Sequence, residues 1–390
     1  MNSVVIAASA RTPFGVLQGA FSNLKASELG AIAIKAAVKA AGIESSSVET
    51  LFMGCVLPAG MGQAPARQAA IYAGLGDGVP TVTLNKMCGS GLEALIQAYR
   101  MVALGEAEIV VAGGMESMTN APYVLPKARA GYRMGNGEII DSMVNDGLWD
   151  AYNNKHMGSC AEICATQYNF SREDQDTFAI RSYERAQAAW KRGFFADEVV
   201  PVEIKDRKST ITVSEDEEPS RVKFDKVPEL RPVFAKDGTI TAANASTIND
   251  GAVAVVVTSE ALAKAKGMPI LAKIKGYAAN AHEPQMFTTA PVGAMQKLYN
   301  KLSWTPDAVD LYEINEAFAV VPMAAMHEFN LSADKVNVNG GAIAIGHPIG
   351  ASGARIVATL VNALKAQGGG RGMASICIGG GEALAMAVEV

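Results

Sequence analysis

The chain carries at residues 81–99 the sequence TVTLNKMCGSGLEALIQAY. Apolar and β-branched residues predict a strand over Thr81–Leu84, and the run that begins at Gly91 predicts a helix. Cys88 lies between the two, near the positive end of the helix, where the pKa of a thiol is expected to be lowered. This position suits a nucleophilic thiolate, although a small buried cysteine that only fills space fits the fragment as well.

A second part of the chain resembles the first. Residues 336–353 repeat the pattern of residues 82–91, with a strand-like run, a loop and a glycine-flanked serine. Ile109–Glu116 likewise resembles Ile376–Glu382, because each ends in glycines followed by glutamate. Both matches occur in the same order with a helix-like stretch between them. The sequence therefore predicts an internal duplication, with two similar halves.

Strand-like and helix-like runs alternate in the first half. Val4–Ala8, Thr50–Met53 and Ile109–Ala112 have the apolar character of buried strands, whereas Ala26–Ala41 and Gly91–Leu104 have helical character. This alternation is typical of an α/β fold with a largely buried sheet.

Between the halves the composition changes, and prolines and glycines mark loops. Ser171 stands where a helix is expected to start. The acidic run Glu215–Glu218 and the nearby basic residues suggest a solvated surface. We predict an N-terminal half over residues 1–118 and 250–268, an inserted loop domain over 119–249, and a C-terminal half over 269–390.

Composition limits the class of protein. The chain has 390 residues, 49% of them hydrophobic and 19% charged, and its net charge of -5 gives no electrostatic case for a nucleic-acid partner. Five widely spread cysteines do not form a disulfide pattern, and Cys160 with Cys164 suits one helical face better than a zinc site. The start resembles no targeting peptide, and no long apolar run suggests a membrane span. We expect a cytoplasmic protein without membrane association.

Several polar residues stand in settings that favour chemistry. His347 lies between glycine and proline, which shape the backbone around the imidazole and favour a functional role. Cys377 ends an apolar run just before Gly379–Gly381, where ligands gather in α/β folds, although a buried structural thiol is an equal alternative. Asn315 and Glu316 stand amid apolar residues, so structural hydrogen bonding is an alternative for both.

Four motifs in order resemble the thiolase family, in its acetoacetyl-CoA branch. They are Asn-Lys-Met-Cys-Gly-Ser-Gly at 85–91, Asn-Glu-Ala-Phe at 315–318, Gly-His-Pro-Ile-Gly-Ala-Ser-Gly at 346–353 and Cys-Ile-Gly-Gly-Gly at 377–381. The resemblance covers essentially the entire chain. It implies a thiolase fold, in which two duplicated α/β halves form a five-layered body with an inserted loop domain.

The resemblance also implies roles in a reversible Claisen condensation of two acetyl-CoA molecules to acetoacetyl-CoA and CoA. Cys88 would be the nucleophile that carries the acetyl group, helped by His347, and Cys377 would be the acid/base. His347 with a water on Asn315 would form one oxyanion hole. The N–H groups of Cys88 and Gly379 would form the other.

Binding residues follow from the same resemblance. Arg221 and Lys226 match basic positions that contact CoA, and Ser246 matches one near the pantetheine. His156 and Met157 match the short-chain biosynthetic pattern, in which the methionine limits acyl length. No cofactor is required, and the expected partners are acetyl-CoA, acetoacetyl-CoA and CoA.

A monovalent cation is a further implication. Phe287 stands where many bacterial members have methionine, and Tyr183 resembles the potassium-activated members. The carbonyl groups of Ala242, Ala243 and Ala245 would complete a K+ site.

Other functions stay open at this point. A thiolase of broader 3-ketoacyl-CoA range, a ketoacyl-synthase-type condensing enzyme and a non-catalytic CoA-binding scaffold would share the fold. Cys377 favours the thiolase, because a decarboxylating condensing enzyme needs no second thiol. The resemblance also suggests a homotetramer, formed partly through the loops around Pro122–Gly137.

Overall fold

The computed structural model describes residues 2–205 and 209–390. Its strands are β1 Val4–Arg11, β2 Gly15–Val16, β3 Thr50–Gly54, β4 Thr81–Leu84, β5 Ile109–Ser117, β6 Tyr123–Val124, β7 Ile140–Asp141, β8 Trp149–Asp150, β9 Lys155–His156, β10 Val202–Lys205, β11 Thr210–Val213, β12 Asn249–Ser259, β13 Ala272–Ala281, β14 Leu311–Ile314, β15 Arg371–Ile378 and β16 Glu382–Glu389. Its α-helices are α1 Ala26–Ala40, α2 Pro65–Ala73, α3 Ser90–Leu104, α4 Ser142–Gly147, α5 Met157–Tyr168, α6 Arg172–Lys191, α7 Glu260–Lys266, α8 Ala290–Leu302, α9 Val320–Phe329, α10 Ala342–Ile345 and α11 Ile349–Ala366. The strands and helices predicted in the first half are confirmed. Within those ranges, no helix has the length and apolar character to cross a membrane.

The two halves share one sheet topology. In the first half the strand order is β1-β12-β5-β3-β4, with β12 antiparallel to both neighbours and β3 parallel to both of its own. The second half repeats this as β13-β16-β15-β14, and a parallel bridge from Tyr312 to Val336 takes the place of β4. Two residue pairs between β1 and β13 join the halves. The predicted duplication is confirmed.

Alternating strand residues give the described part of the chain three large hydrophobic cores, which separate five layers, and a fourth, small cluster lies around Ile349. The inner core lies between the two half-sheets and contains α3, α11 and inward strand residues such as Val110 and Ile376. One outer core packs α1 and α2 on the first half-sheet, through residues such as Met115. The other packs α5, α8 and α9 on the second, and it includes Cys377. The predicted five-layered body is confirmed.

The register of the duplication differs from the sequence match. The strand pairing and the direction of the side chains show which residues of β5 and β15 correspond. Met115 corresponds to Cys377, because each faces the outer core of its half, and Glu116 therefore corresponds to Ile378 on the inner side. Glu116 therefore does not correspond to Glu382, which starts β16. In the first half the glycines lie inside β5, because a Cβ at Gly114 would overlap the carbonyl oxygen of Gly350. In the second half they form the turn after β15.

The segment between β5 and β12 contains three short hairpins and helices α4–α6. Ser171 caps α6, as predicted, and accepts a hydrogen bond from the N–H of Asp174. The acidic run is not a solvated surface, because only Glu215 is exposed. Asp216 is buried in an ion pair with Arg11, 2.6 Å from Nη1 to Oδ1. A charge run in sequence does not reveal such a partner 205 residues away.

Candidate active site

Cys88 lies in a tight turn between β4 and α3. Met87, just before it, has a positive φ of 47°, an uncommon conformation for a residue with a side chain. The N–H of Ser90 donates to the carbonyl of Met87 at 3.0 Å, which closes the turn into the helix. A Cβ at Gly89 would overlap Cδ1 of Ile378, so the end of that side chain would have to shift. The second half therefore shapes the turn that presents the thiol.

The pKa of Cys88 is raised to about 11, and not lowered as the sequence suggested. Burial is the largest cause, and the charge of Glu116 adds to it. The N–H groups of Gly379 and Cys88 itself point at the sulfur and act in the opposite direction. Desolvation exceeds the effect of the helix end and the two donors, so the resting group is a thiol that needs a base.

His347 lies just before α11 and is almost fully buried. Its Nδ1 is 2.6 Å from the hydroxyl of Ser352, which donates to the Pro348 carbonyl at 3.0 Å. The hydroxyl must therefore accept from Nδ1–H, so the neutral ring has its lone pair on Nε2. Burial, with a contribution from the charge of Arg355, lowers the pKa of His347 to about 3. Nε2 has no hydrogen-bond partner among the described residues, so it is free to take a proton.

Cys377 and Asn315 are both fully buried. The thiol of Cys377, near the end of β15, is fully buried, and burial raises its pKa well above the ordinary value. Negative charge on Cys88 raises it further, so the two thiols are close enough to interact. Asn315 is buried, and neither its amide oxygen nor its nitrogen has a partner within the described ranges.

Glu316, in contrast, has a structural environment. Its carboxylate accepts hydrogen bonds from Ser182 Oγ at 2.7 Å, Asn337 Nδ2 at 2.8 Å and the N–H of Ile343 at 3.1 Å. These contacts join α6 to α10 and to the loop before it. The structural alternative is therefore the better interpretation of Glu316.

A cavity of about 210 Å³, which we call the inner cavity, brings many of the predicted residues together. Eight of them line it: Cys88, His156, Met157, Ala245, Ser246, Phe287, His347 and Gly379. Ala245 and Ser246 also line the next cavity. The sequence did not indicate the apolar lining, which includes Met118, Leu148, Phe234, Ile248 and Phe318. Apolar residues that face a cavity have no sequence signal that separates them from core residues.

The adjoining cavity, the outer cavity, shares Phe234, Ala245, Ser246, Thr247 and Ile248 with the inner one. Arg221, predicted to contact CoA, lines it. Lys226 lines neither cavity, and its Nζ is 3.0 Å from Glu229 Oε2 at the surface.

Two of the residues predicted to hold K+ line the outer cavity, and a third contacts a residue of its wall. Tyr183 Oη is 3.5 Å from Glu218 Oε1, and Glu218, Ala242 and Ala245 line the cavity. Ala243 is buried next to them. The described part of the chain holds no cluster of three or more His, Cys, Asp or Glu residues suited to a metal ion. Cys160 and Cys164 lie together in α5, both buried, as the helical-face interpretation expected.

Comparison with known proteins assigns both halves to one family. A family model described as the N-terminal domain of thiolase matches residues 4–261, and one described as the C-terminal domain matches residues 268–390. An acetyl-CoA acetyltransferase of Cupriavidus necator is 50% identical over 391 residues, covering 100% of both chains. One of Pseudomonas aeruginosa is 46% identical over 388 residues, covering 99% of each.

Solved structures agree. The crystal structure of the Bacillus anthracis acetyl-CoA acetyltransferase has a TM-score of 0.97 at 40% identity, covering 100% of this chain and 99% of the other. A thiolase from Ascaris suum in complex with coenzyme A has a TM-score of 0.94 at 43% identity, covering 99% of both. The chain belongs to the thiolase family.

Proposed function

We propose that the protein catalyses the reversible condensation of two acetyl-CoA molecules to acetoacetyl-CoA and CoA, through an acetyl group on Cys88. The observation that carries this function is the surroundings of the Cys88 sulfur. The N–H groups of Cys88 and Gly379 point at it, and His347 lines the same cavity. This activity agrees with the names of the relatives, which are acetyl-CoA acetyltransferases and match this chain over nearly their full length.

Acylation begins with a proton transfer. Nε2 of the neutral His347 takes the proton of Cys88. The raised pKa of the thiol and the lowered pKa of the imidazole oppose this transfer, and the attraction between the thiolate and the imidazolium offsets them. The thiolate attacks the thioester carbonyl. The oxyanion accepts hydrogen bonds from Nε2–H or from the two N–H groups beside the sulfur. Collapse of the intermediate expels CoA thiolate and leaves acetyl-Cys88.

Condensation requires a base. The Cys377 thiol gives its proton to the departing CoA thiolate and becomes a thiolate itself. Negative charge on Cys88 raises the pKa of Cys377, and acetylation of Cys88 removes that charge. The second thiolate is therefore favoured at the stage when it must remove a proton from the methyl carbon of the second acetyl-CoA. The resulting enolate attacks acetyl-Cys88 and forms acetoacetyl-CoA.

The two cavities suit the ends of an acyl-CoA molecule. The inner cavity is mostly apolar and small, with Met157 and Phe287 in its wall, which suits a short acyl chain. Ser246 lies between the cavities, where the pantetheine would pass, and Arg221 faces the anionic end from the outer one. Lys226 is assigned a weaker contact with the CoA phosphates at the surface.

Steady-state thiolysis tests the proposed function. We expect acetoacetyl-CoA to be cleaved with a kcat/KM at least about tenfold above that of 3-ketohexanoyl-CoA, because each added carbon must fit beside Met157 and Phe287. Equal values would favour the thiolase of broader range. Malonyl-CoA replacing acetyl-CoA as the carbanion source would favour a ketoacyl-synthase-type enzyme.

A K+ ion beside the outer cavity is the finer part of this proposal. Tyr183 and the carbonyl groups of Ala242, Ala243 and Ala245 would hold it, and an all-oxygen donor set fits such a cation. Bound there, the ion would supply positive charge near the CoA-binding wall. Equal turnover with Na+ or K+ as the sole monovalent cation would contradict it.

We also propose a cytoplasmic homotetramer. Large apolar side chains are exposed in the loops predicted to assemble it, including Tyr123, Leu125, Tyr132 and Met134. Sedimentation equilibrium of the wild type and of a Tyr123→Ser, Met134→Ser double variant tests this. We expect a tetramer that the variant weakens, whereas a monomeric wild type would refute it.

A further inference from the structure

Glu116 is a fully buried acid near the end of β5, and it touches the start of α11 in the other half of the molecule. Its carboxylate accepts hydrogen bonds from the N–H groups of Val56 at 2.9 Å, Leu57 at 3.2 Å and Gly350 at 2.9 Å. The thiol of Cys55 lies 3.5 Å from Oε1. One side chain thus fixes two backbone segments that are far apart in sequence.

The contact with Gly350 replaces a helix cap. The first N–H groups of an α-helix lack partners within the helix, and Pro348, which precedes α11, provides no side-chain cap. Glu116 supplies the acceptor from the first half. The fit is close, because a Cβ at Gly350 would lie 2.6 Å from Oε2 of Glu116.

The capped turn holds His347. The backbone N–H of His347 donates to Asn249 Oδ1 at 2.9 Å. The Nδ1 of the imidazole donates to the hydroxyl of Ser352, the fourth residue of α11. The direction of Nε2 therefore depends on where α11 begins. A displacement of the first turn would move Ser352, and with it the imidazole of His347, relative to Cys88.

We propose that Glu116 is a positioning residue, which holds the first turn of α11 so that Nε2 of His347 faces Cys88. This inference rests on the role proposed above for His347. Glu116 holds this turn by accepting hydrogen bonds, and its negative charge is not needed. The ionisable side chains that interact with Glu116 are the thiols of Cys55 and Cys88, and its negative charge raises the pKa of both. A neutral acceptor of the same length should therefore serve as well.

Alkylation of Cys88 by iodoacetamide tests the proposal, with the modified residue located by mass spectrometry. The other four cysteines are buried, so the rate reports on the activation of Cys88. Glu116→Asp keeps the charge, but its side chain is one methylene shorter, so the carboxylate no longer reaches the N–H groups. Glu116→Gln keeps the length of the side chain and one acceptor oxygen. We expect Glu116→Asp to react at least about tenfold more slowly and Glu116→Gln within about threefold of the wild type. The pH profile of Glu116→Asp should shift towards that of His347→Gln.

Val110→Ala, in the inner core on the same strand, is the control for lost stability. It should lower the melting temperature and leave the alkylation rate and its pH profile unchanged. If Glu116→Asp does not fold, Glu116→Met, which keeps the length and removes both acceptors, replaces it with the same expectation.

Two results would overturn the inference: a wild-type rate in Glu116→Asp, or a rate in Glu116→Gln as slow as in Glu116→Asp. A wild-type rate in His347→Gln would instead refute the proposed role of His347. The two failures are therefore distinguishable.

Discussion

The ends of β5 and β15 occupy corresponding places in the two halves, yet they carry different chemistry. The first half has Met115 in its outer core where the second has Cys377. On the inner side, Glu116 bonds to the first turn of α11, whereas Ile378 packs on Gly89 at the start of α3. Each half thus supports the turn of the other half that carries a candidate catalytic residue.

The comparison shows how a duplicated scaffold produces an asymmetric site. Both halves place a strand end against the first turn of the partner helix. The two halves differ at these two strand positions. They also differ in the residue before the central helix, which is Cys88 before α3 and His347 before α11. In the proposed mechanism, the first half provides the nucleophile, and the second provides both groups that move protons.

Removing the first-half nucleophile should have the largest effect. Cys88→Ser replaces sulfur by oxygen, which is a far weaker nucleophile at neutral pH, so we expect acetoacetyl-CoA thiolysis to fall by about 10⁴-fold. Cys160→Ala, which changes a buried thiol of α5, should keep most of the activity. Activity of Cys88→Ser within tenfold of the wild type would mean that the first half does not carry the acetyl group.

Removing the second-half thiol should separate the two half-reactions. Cys377→Ala should still form acetyl-Cys88 from acetyl-CoA, whereas condensation should fall by about 10³-fold, because the base is lost. Mass spectrometry after mixing with acetyl-CoA measures the first step, and acetoacetyl-CoA formation measures the second. An unacetylated Cys377→Ala protein would contradict this division of roles.

Glu116 should make the stability of the fold depend on pH, whereas Ile378, at the corresponding position of the second half, has no ionisable group. Burial raises the pKa of Glu116 from 4.5 to about 7, so the protonated carboxyl favours the folded state. This contribution is complete below about pH 4.5 and is lost as the pH rises through about 7. Glu116→Gln should remove a pH-dependent loss of roughly 2 to 3 kcal/mol between pH 5 and 8. Urea unfolding at both pH values measures it, and parallel pH dependence in the two proteins would disprove it.

The contact between Gly89 and Ile378 should give the smallest effect. Gly89→Ala adds a Cβ that overlaps Ile378, so we expect the turn to shift and acylation of Cys88 to slow by about tenfold. Ile378→Ala should restore space and recover most of the rate in the double variant. Equal rates in the Gly89→Ala variant and the wild type would show that the second half does not shape this turn.

Much of the fold was predictable from the sequence, because it rests on local patterns. Apolar runs placed the strands and helices of the first half, and the repeated order of motifs indicated the duplication. The register was wrong, because similar glycine runs serve different purposes: those in β5 allow backbones to approach, and those after β15 form a turn. The sequence also singled out Cys88, His347 and Cys377 but gave no sign that Glu116 joins the halves.

By itself, therefore, the sequence determined the α/β duplication, the family and the types of reactive group, since these depend on periodicity and on short motifs. Only the tertiary structure decided the protonation states and the partners. The pKa of Cys88 is high because residues distant in sequence exclude water from it, and desolvation exceeds the local effect of the helix. Asp216 is buried because Arg11 lies opposite. Burial and pairing are properties of the packed chain, and no local run of residues encodes them.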